Sequence, residues 1–100
     1  MPKIYEYFGI IFFFYANEHE PVHVHAQTGE FENKIEFEYE NGRVKRIIFK
    51  KVKGKKEIPP AKRKDVIKFI RKYHRGIVEK WMEFFVMNAK PKIEKITKKL

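Results

Sequence analysis

The sequence predicts an α+β fold of two layers. An antiparallel β-meander of about four strands packs against a long or Gly-kinked C-terminal helix, in the order β-β-β-β-α. Three observations predict it. Residues 31–40 alternate strictly between two sets of side chains, one largely apolar and one charged, as a strand with one buried face does. Asn41-Gly42 follows at once, and a type I′ hairpin turn needs positive φ at both central residues, which this pair tolerates best. From Ala61 the apolar period changes from two to three and four, which is helical.

The elements follow in chain order. Ile10-Ile11-Phe12-Phe13-Phe14-Tyr15 is a continuous run of aromatic and β-branched residues, read as a strand covered on both faces. Asn17 to Pro21 has the composition of a turn. Val22 to Gln27 is a second strand, with Val22, Val24 and Ala26 on one face and His23 and His25 on the other. Thr28-Gly29-Glu30 turns the chain into the third strand. There Phe31, Asn33, Ile35, Phe37 and Tyr39 share one face, and Glu32, Lys34, Glu36, Glu38 and Glu40 the other.

A two-residue turn sets the register of the fourth strand: Glu40 against Arg43, Tyr39 against Val44, Glu38 against Lys45, Phe37 against Arg46, Ile35 against Ile48. This register leaves Ile47 and Phe49 on the charged face. They then need a cover: the first strand, the C-terminal tail or a partner such as a second copy in a homodimer.

After a polar loop from Lys53 to Pro60, the helical stripe runs Val66, Ile70, Tyr73, Ile77, Trp81 and Phe84, widened by Ile67, Val78 and Phe85. Its phase passes through Gly76 without a slip. A helix from Ala61 to Asn88 would be roughly 42 Å long, longer than a small domain is wide. That calls for a kink at Gly76 or a protruding end. Pro91 is the expected stop, and residues 90–100 form a basic tail with Ile93, Ile96 and Leu100 as anchors.

At 100 residues the chain is read as a single domain, 1–100. Ten Phe, five Tyr and one Trp supply a core without disulfides. With no cysteine, thiol catalysis and thiolate metal sites are excluded, and a reducing compartment is suited. The N-terminus lacks a signal-peptide layout, and the longest apolar run, residues 10–16, is far short of the roughly 20 needed to cross a bilayer. The expectation is a soluble cytoplasmic protein with no membrane partner.

Charge is uneven. Residues 1–40 hold two lysines against eight glutamates, a net of −6, while residues 41–100 carry 21 Lys and Arg against five acids, a net of +16. Fifteen of those cations lie between Arg43 and Arg75. Lys50, Lys51, Lys53, Lys55 and Lys56 make a basic arm. Arg63 and Arg71, with Lys62, Lys64, Lys68, Lys72 and Arg75, populate the outer side of the helix. Such a band would bind nucleic acid through phosphates, or an acidic protein partner. No helix-turn-helix, RNP aromatic motif, GXXG loop or zinc finger supports specific readout. An amphipathic helix also needs polar residues outside whatever its function.

Three of the four histidines lie within seven residues: His19, His23 and His25. On a strand, the i,i+2 pair His23 and His25 projects from one face, and His19 can fold back from the turn. Glu18, Glu20, Glu30 and Glu32 offer an oxygen. Three imidazoles with an open position would hold a divalent metal such as zinc and activate water. The same groups without metal supply an acid and a base for phosphodiester cleavage. There is no His-Glu-x-x-His motif, and histidines beside glutamates on a strand also occur as ordinary ion-paired groups. His74 receives no role.

Pro2, Tyr7-Phe8-Gly9-Ile10, and the block Phe14-Tyr15-Ala16-Asn17-Glu18-His19-Glu20-Pro21-Val22-His23-Val24-His25 together resemble the bacterial family catalogued as domain of unknown function 4160. Its members carry an Asn-Asp/Glu-His-x-Pro-x-His-x-His block, matched here by Asn17, Glu18, His19, Pro21, His23 and His25. Gly29-Glu30-Phe31 and Glu79-Lys80-Trp81 also fit. The resemblance implies an uncharacterised protein. It also implies a small protein partner encoded nearby, as in a toxin–antitoxin-like pair. The long basic arm from Arg43 to Lys56 departs from the shorter acidic versions of the family. The expectation is therefore a non-enzymatic binding module for protein or nucleic acid; the alternative is a histidine-based hydrolase or nuclease, with or without metal, using His19, His23 and His25.

Overall fold

In the computed structural model, which describes residues 2–18 and 21–100, the chain forms a six-stranded mixed sheet and one helix. The strands are β1 (Lys3–Tyr7), β2 (Ile10–Phe13), β3 (His23–Thr28), β4 (Phe31–Glu40), β5 (Arg43–Lys51) and β6 (Glu94–Ile96); the helix α1 (Pro60–Phe85) precedes β6. The spatial order is β5-β4-β3-β2-β1-β6. The α+β class is as expected, but the four-stranded antiparallel meander must be corrected. Two strands are added on one side, and β6 pairs parallel with β1.

β1 escapes a hydropathy reading because Glu6 and Lys3 break its apolar run. Its hairpin with β2 turns at Phe8 and Gly9, with φ of 42° and 82°, a two-residue turn with both residues left-handed. β6 is three residues long and charged, so only its docking beside β1 defines it. The C-terminal tail is thereby part of the sheet. The Lys80 ammonium, buried in α1, bonds the Lys92 carbonyl at 2.8 Å and Glu94 Oε2 at 3.0 Å, over the Tyr5 ring. Two hydrogen bonds and a cation–π contact thus hold the last strand in place.

The Asn41-Gly42 turn forms as predicted, with φ of 53° and 77°. The register does not hold beyond it. Glu40 pairs with Arg43 and Tyr39 with Val44, but a bulge then shifts the strand, so that Glu38 meets Arg46, Phe37 meets Ile47 and Ile35 meets Phe49. Lys45 is the extra residue. The bulge returns Ile47 and Phe49 to the apolar face, where both pack on the core. It also brings Arg46 Nε within 2.9 Å of Glu38 and Lys45 Nζ within 3.0 Å of Glu40. The predicted need for a cover over these two residues therefore disappears, and with it the motive for a homodimer.

α1 is one unbroken helix, starting with Pro60 at its first turn and with Pro59 extended before it, where a missing N–H is harmless. It ends before Pro91: Asn88 takes a φ of 53° and Ala89 N–H bonds the Glu83 carbonyl at 2.8 Å, a left-handed terminus. Gly76 does not kink the helix. It lies where the Tyr5 hydroxyl comes up against the helix backbone, and a Cβ there would collide with that hydroxyl. Val66, Phe69, Ile70, Ile77 and Trp81 bury against Tyr5, Tyr7, Phe12, Phe14, Val24, Ala26, Ile35 and Phe37. Phe69 is the hub, with ring centroids 4.5 Å from Phe12, 4.6 Å from Tyr73 and 5.3 Å from both Tyr5 and Tyr7. Among the described residues no helix is long and apolar enough to cross a membrane.

Candidate metal centre

Alternation along β3 places Val24 and Ala26 in the helix-facing core, so His23 and His25 project from the opposite face of the sheet. That face is not open there: His23 is 0% and His25 1% exposed. Cross-strand register sets Phe13 and Lys34 on either side of His25, and Glu36 beside His23. Phe13 stacks on the His25 ring at 5.4 Å and Tyr15 meets it edge-on at 4.5 Å. The chain leaving β2 thus folds back over the pair and carries Glu18 to them.

The protons can be placed. His23 Nδ1 lies 2.6 Å from the Pro21 carbonyl oxygen. A carbonyl only accepts, so Nδ1 carries the hydrogen and Nε2 of the neutral ring is a lone pair. Burial above all, then Lys34 and His25, lowers the His23 pKa, against the opposing Pro21 bond and Glu18, which keeps the ring neutral near pH 7. Its Nε2 is buried with no hydrogen-bond partner. Leaving a buried acceptor unpaired costs about 1–3 kcal/mol.

His25 is gripped from both sides. Its Nδ1 lies 3.2 Å from Glu32 Oε2, and that oxygen also accepts from the Tyr15 hydroxyl at 3.1 Å. Burial and the Glu32 bond raise the Tyr15 pKa, so it stays a donor. The other ring nitrogen, Nε2, stands 2.9 Å from Glu18 Oε1. His25 thus has a carboxylate oxygen at each ring nitrogen: an imidazolium donates to both, whereas a neutral ring donates to one and leaves a gap between two acceptors that suits a metal cation. His23 Nε2 points at the same oxygen from 3.6 Å, beyond hydrogen-bond range. Burial raises the Glu18 pKa, but the bond and charge of His25, with Lys34 and His23, outweigh it and the net shift is downward.

The two Nε2 atoms and a Glu18 oxygen all lie within 4.8 Å of one another. Around tetrahedral zinc, with bonds of about 2.0–2.2 Å, neighbouring ligand atoms are roughly 3.3 Å apart. A small rotation of the partly exposed Glu18 and a slight closure of the rings would meet that distance. A carboxylate on the far nitrogen of a ligating histidine is also the usual support for such a ligand, and Glu32 supplies it. The donor set suits a divalent ion of the zinc type.

Of the predicted metal ligands, His23 and His25 converge, while His19 lies outside the described residues, as does Glu20. Glu18 and Glu32 were two of four candidate oxygens and take different places, Glu18 beside the two Nε2 atoms and Glu32 at His25 Nδ1; Glu30 instead pairs with Lys56 at 3.0 Å. Tyr15 and Lys34 carried no sequence signal beyond ending an apolar run and filling one place in an alternation. Of the predicted cationic residues, Lys50, Lys51, Lys53, Lys55 and Lys56 line the exposed edge β5 and the loop after it. Arg63 is half-buried, lying over the Phe49 ring at 5.1 Å and donating to the Ile58 carbonyl at 3.1 Å. Arg71 is exposed on α1, so the sheet separates it from the histidines. Lys50, opposite Lys34 in the register, shares their face.

The fold and site define a small α+β protein with a histidine–carboxylate cluster on the face of its sheet away from the helix. The family described as Domain of unknown function (DUF4160) matches over residues 9–82, and the chain belongs to that family. No curated protein and no solved structure matches the chain.

Proposed function

We propose that this protein is a small binding module organised around a divalent metal ion of the zinc type, held by Glu18, His23 and His25. The observation that carries this reading is the buried, unpartnered Nε2 of His23, aimed at the same carboxylate oxygen that His25 Nε2 approaches. A metal bond gives that lone pair a partner and takes the place of the Nε2–Oε1 contact of His25. It also ties the segment after β2 to β3, joining residues that the chain separates by a loop. Calorimetric titration of chelator-treated protein with zinc should show one site per chain. Loss of the site in His23→Ala and in His25→Ala is expected, and zinc uptake unchanged in both variants would overturn the reading.

Hydrolysis is the second reading. Three protein ligands among the described residues leave a fourth position for water, as in catalytic zinc sites. Turnover of an activated phosphodiester by the zinc-loaded protein, abolished in His25→Ala, would favour it over binding alone.

A further inference from the structure

The row of side chains that contains His25 continues across the sheet. Phe13, His25, Lys34 and Lys50 stand opposite one another in successive strands β2, β3, β4 and β5. Phe13 and Tyr15 wall the histidine on the β2 side. On the β4 side the neighbours are Lys34 and Glu36, then Lys50 and Ile48. Lys34 and Lys50 are like charges directly opposite each other, a pairing that destabilises a sheet where opposite charges would stabilise it. Every other charged pair on this face between β4 and β5 is compensated: Glu38 takes Arg46 at 2.9 Å. Lys34 has only Glu36, at 3.8 Å, and no carboxylate lies within ion-pair distance of Lys50 among the described residues. Lys34 is also close enough to act electrostatically on both Glu18 and His23.

We propose that Lys34 and Lys50 form, with the metal ion, a binding site for a singly charged phosphodiester. This rests on the metal reading above. The charges lead to that class. A divalent ion is balanced by Glu18 and Glu32, since ligating imidazoles are neutral. Glu36 balances Lys34. The Lys50 charge remains, and one monoanionic phosphoester neutralises it. One phosphate oxygen would meet the ion at the side opposite Phe13 and Tyr15, and the lysines would reach the others from the neighbouring strands. Lysine suits this role as a mobile point charge on a flexible stem.

The test uses zinc-loaded protein and two probes, a dinucleotide with a single phosphodiester and inorganic phosphate, followed by chemical-shift titration. The dinucleotide should bind, and more tightly than phosphate. Affinity should fall about tenfold in Lys50→Met and in Lys34→Met, the scale of one charged hydrogen bond, while zinc affinity, measured separately, persists. Dinucleotide binding that is unchanged in both lysine variants, or equal in zinc-free protein, overturns the proposal and leaves the metal reading standing. Phosphate binding more tightly than the dinucleotide overturns the diester assignment. Failure of the wild-type chain to take up zinc sinks the metal reading itself, and is recognisable because it precedes any probe.

Discussion

The hydroxyl of Tyr5 rests against Gly76, in the space a Cβ at that position would fill. Tyr5 is buried, and its ring is fixed by Phe69 and Tyr73 at 5.3 and 5.5 Å, so the hydroxyl cannot swing away freely. Gly76→Ala should destabilise the protein by about 1–3 kcal/mol through overpacking, although alanine is the better helix former by up to about 1 kcal/mol. Tyr5→Phe removes the obstructing oxygen. In urea denaturation the double variant should recover most of the loss, and additive effects in the cycle would contradict the contact.

Glu32 lies 3.2 Å from His25 Nδ1, where on the proposed metal reading it would support a ligating ring. Glu32→Gln keeps an acceptor for the Nδ1 hydrogen but removes the charge behind it. Zinc affinity should fall about 10–100-fold, the range seen for such supporting carboxylates, with stoichiometry still one per chain. Calorimetry that finds affinity unchanged would show that Glu32 serves only Tyr15.

Lys45 phases β5 through its bulge. Deleting it should abolish the bulge without moving the core residues, because simple pairing across the two-residue turn then sets Glu38 against Arg46, Phe37 against Ile47 and Ile35 against Phe49. What is lost is the exposed pair of Lys45 with Glu40, worth about 0–1 kcal/mol, so thermal unfolding should stay cooperative, with stability within about 1 kcal/mol of the parent. A loss of several kcal/mol would mean that the bulge itself, and not only the phase it sets, holds Ile47 and Phe49 in the core.

Lys80 holds β6. Lys80→Met should keep the stem packed on Tyr5 while losing the bonds to Lys92 and Glu94. Amide exchange of residues 94–96 should quicken selectively, ahead of β3 and β4. Uniform acceleration across the sheet would instead indicate a global effect, and no acceleration would show that the parallel pairing with β1 suffices.

His74 provides the pH test away from the His23–His25 cluster. Burial first, then Arg75, lowers its pKa, and its Nδ1 pairs with the Tyr39 hydroxyl at 3.3 Å, a bond that suits the neutral ring. Because the folded value lies below the unfolded one, the unfolded chain binds the proton first as pH falls. Stability should therefore decline from the ordinary histidine value, near 6.5, down through the lowered one, and this contribution should level off below it. Arg75→Gln should raise the His74 midpoint in an NMR titration and narrow the window; a midpoint that does not move would assign the shift to burial alone.

Much of this was legible along the chain. The Asn41-Gly42 turn, the span of β4 and the helix phase follow from contacts between residues close in sequence, where propensity and period act directly. The i,i+2 histidines follow from the pleat of β3. What failed to show was set by partners far away. β1 has too short and mixed a pattern to announce itself, and β6 is a strand only because β1 and Lys80 receive it. The bulge at Lys45 leaves no local mark, since its reason is the apolar cover that α1 offers to Ile47 and Phe49. Gly76 looked like a hinge, because a glycine left empty for Tyr5 and a glycine left free to bend read the same in one dimension.

The sequence alone determined that an α+β protein would form and that two imidazoles would leave one face of one strand, because side-chain direction alternates wherever a strand exists. Tertiary structure decided that those rings are buried, that Glu18 comes up to the Nε2 atoms of both, and that Glu32 and Tyr15 stand on the other side of His25. Ligand geometry depends on distances between segments that only the folded chain brings together.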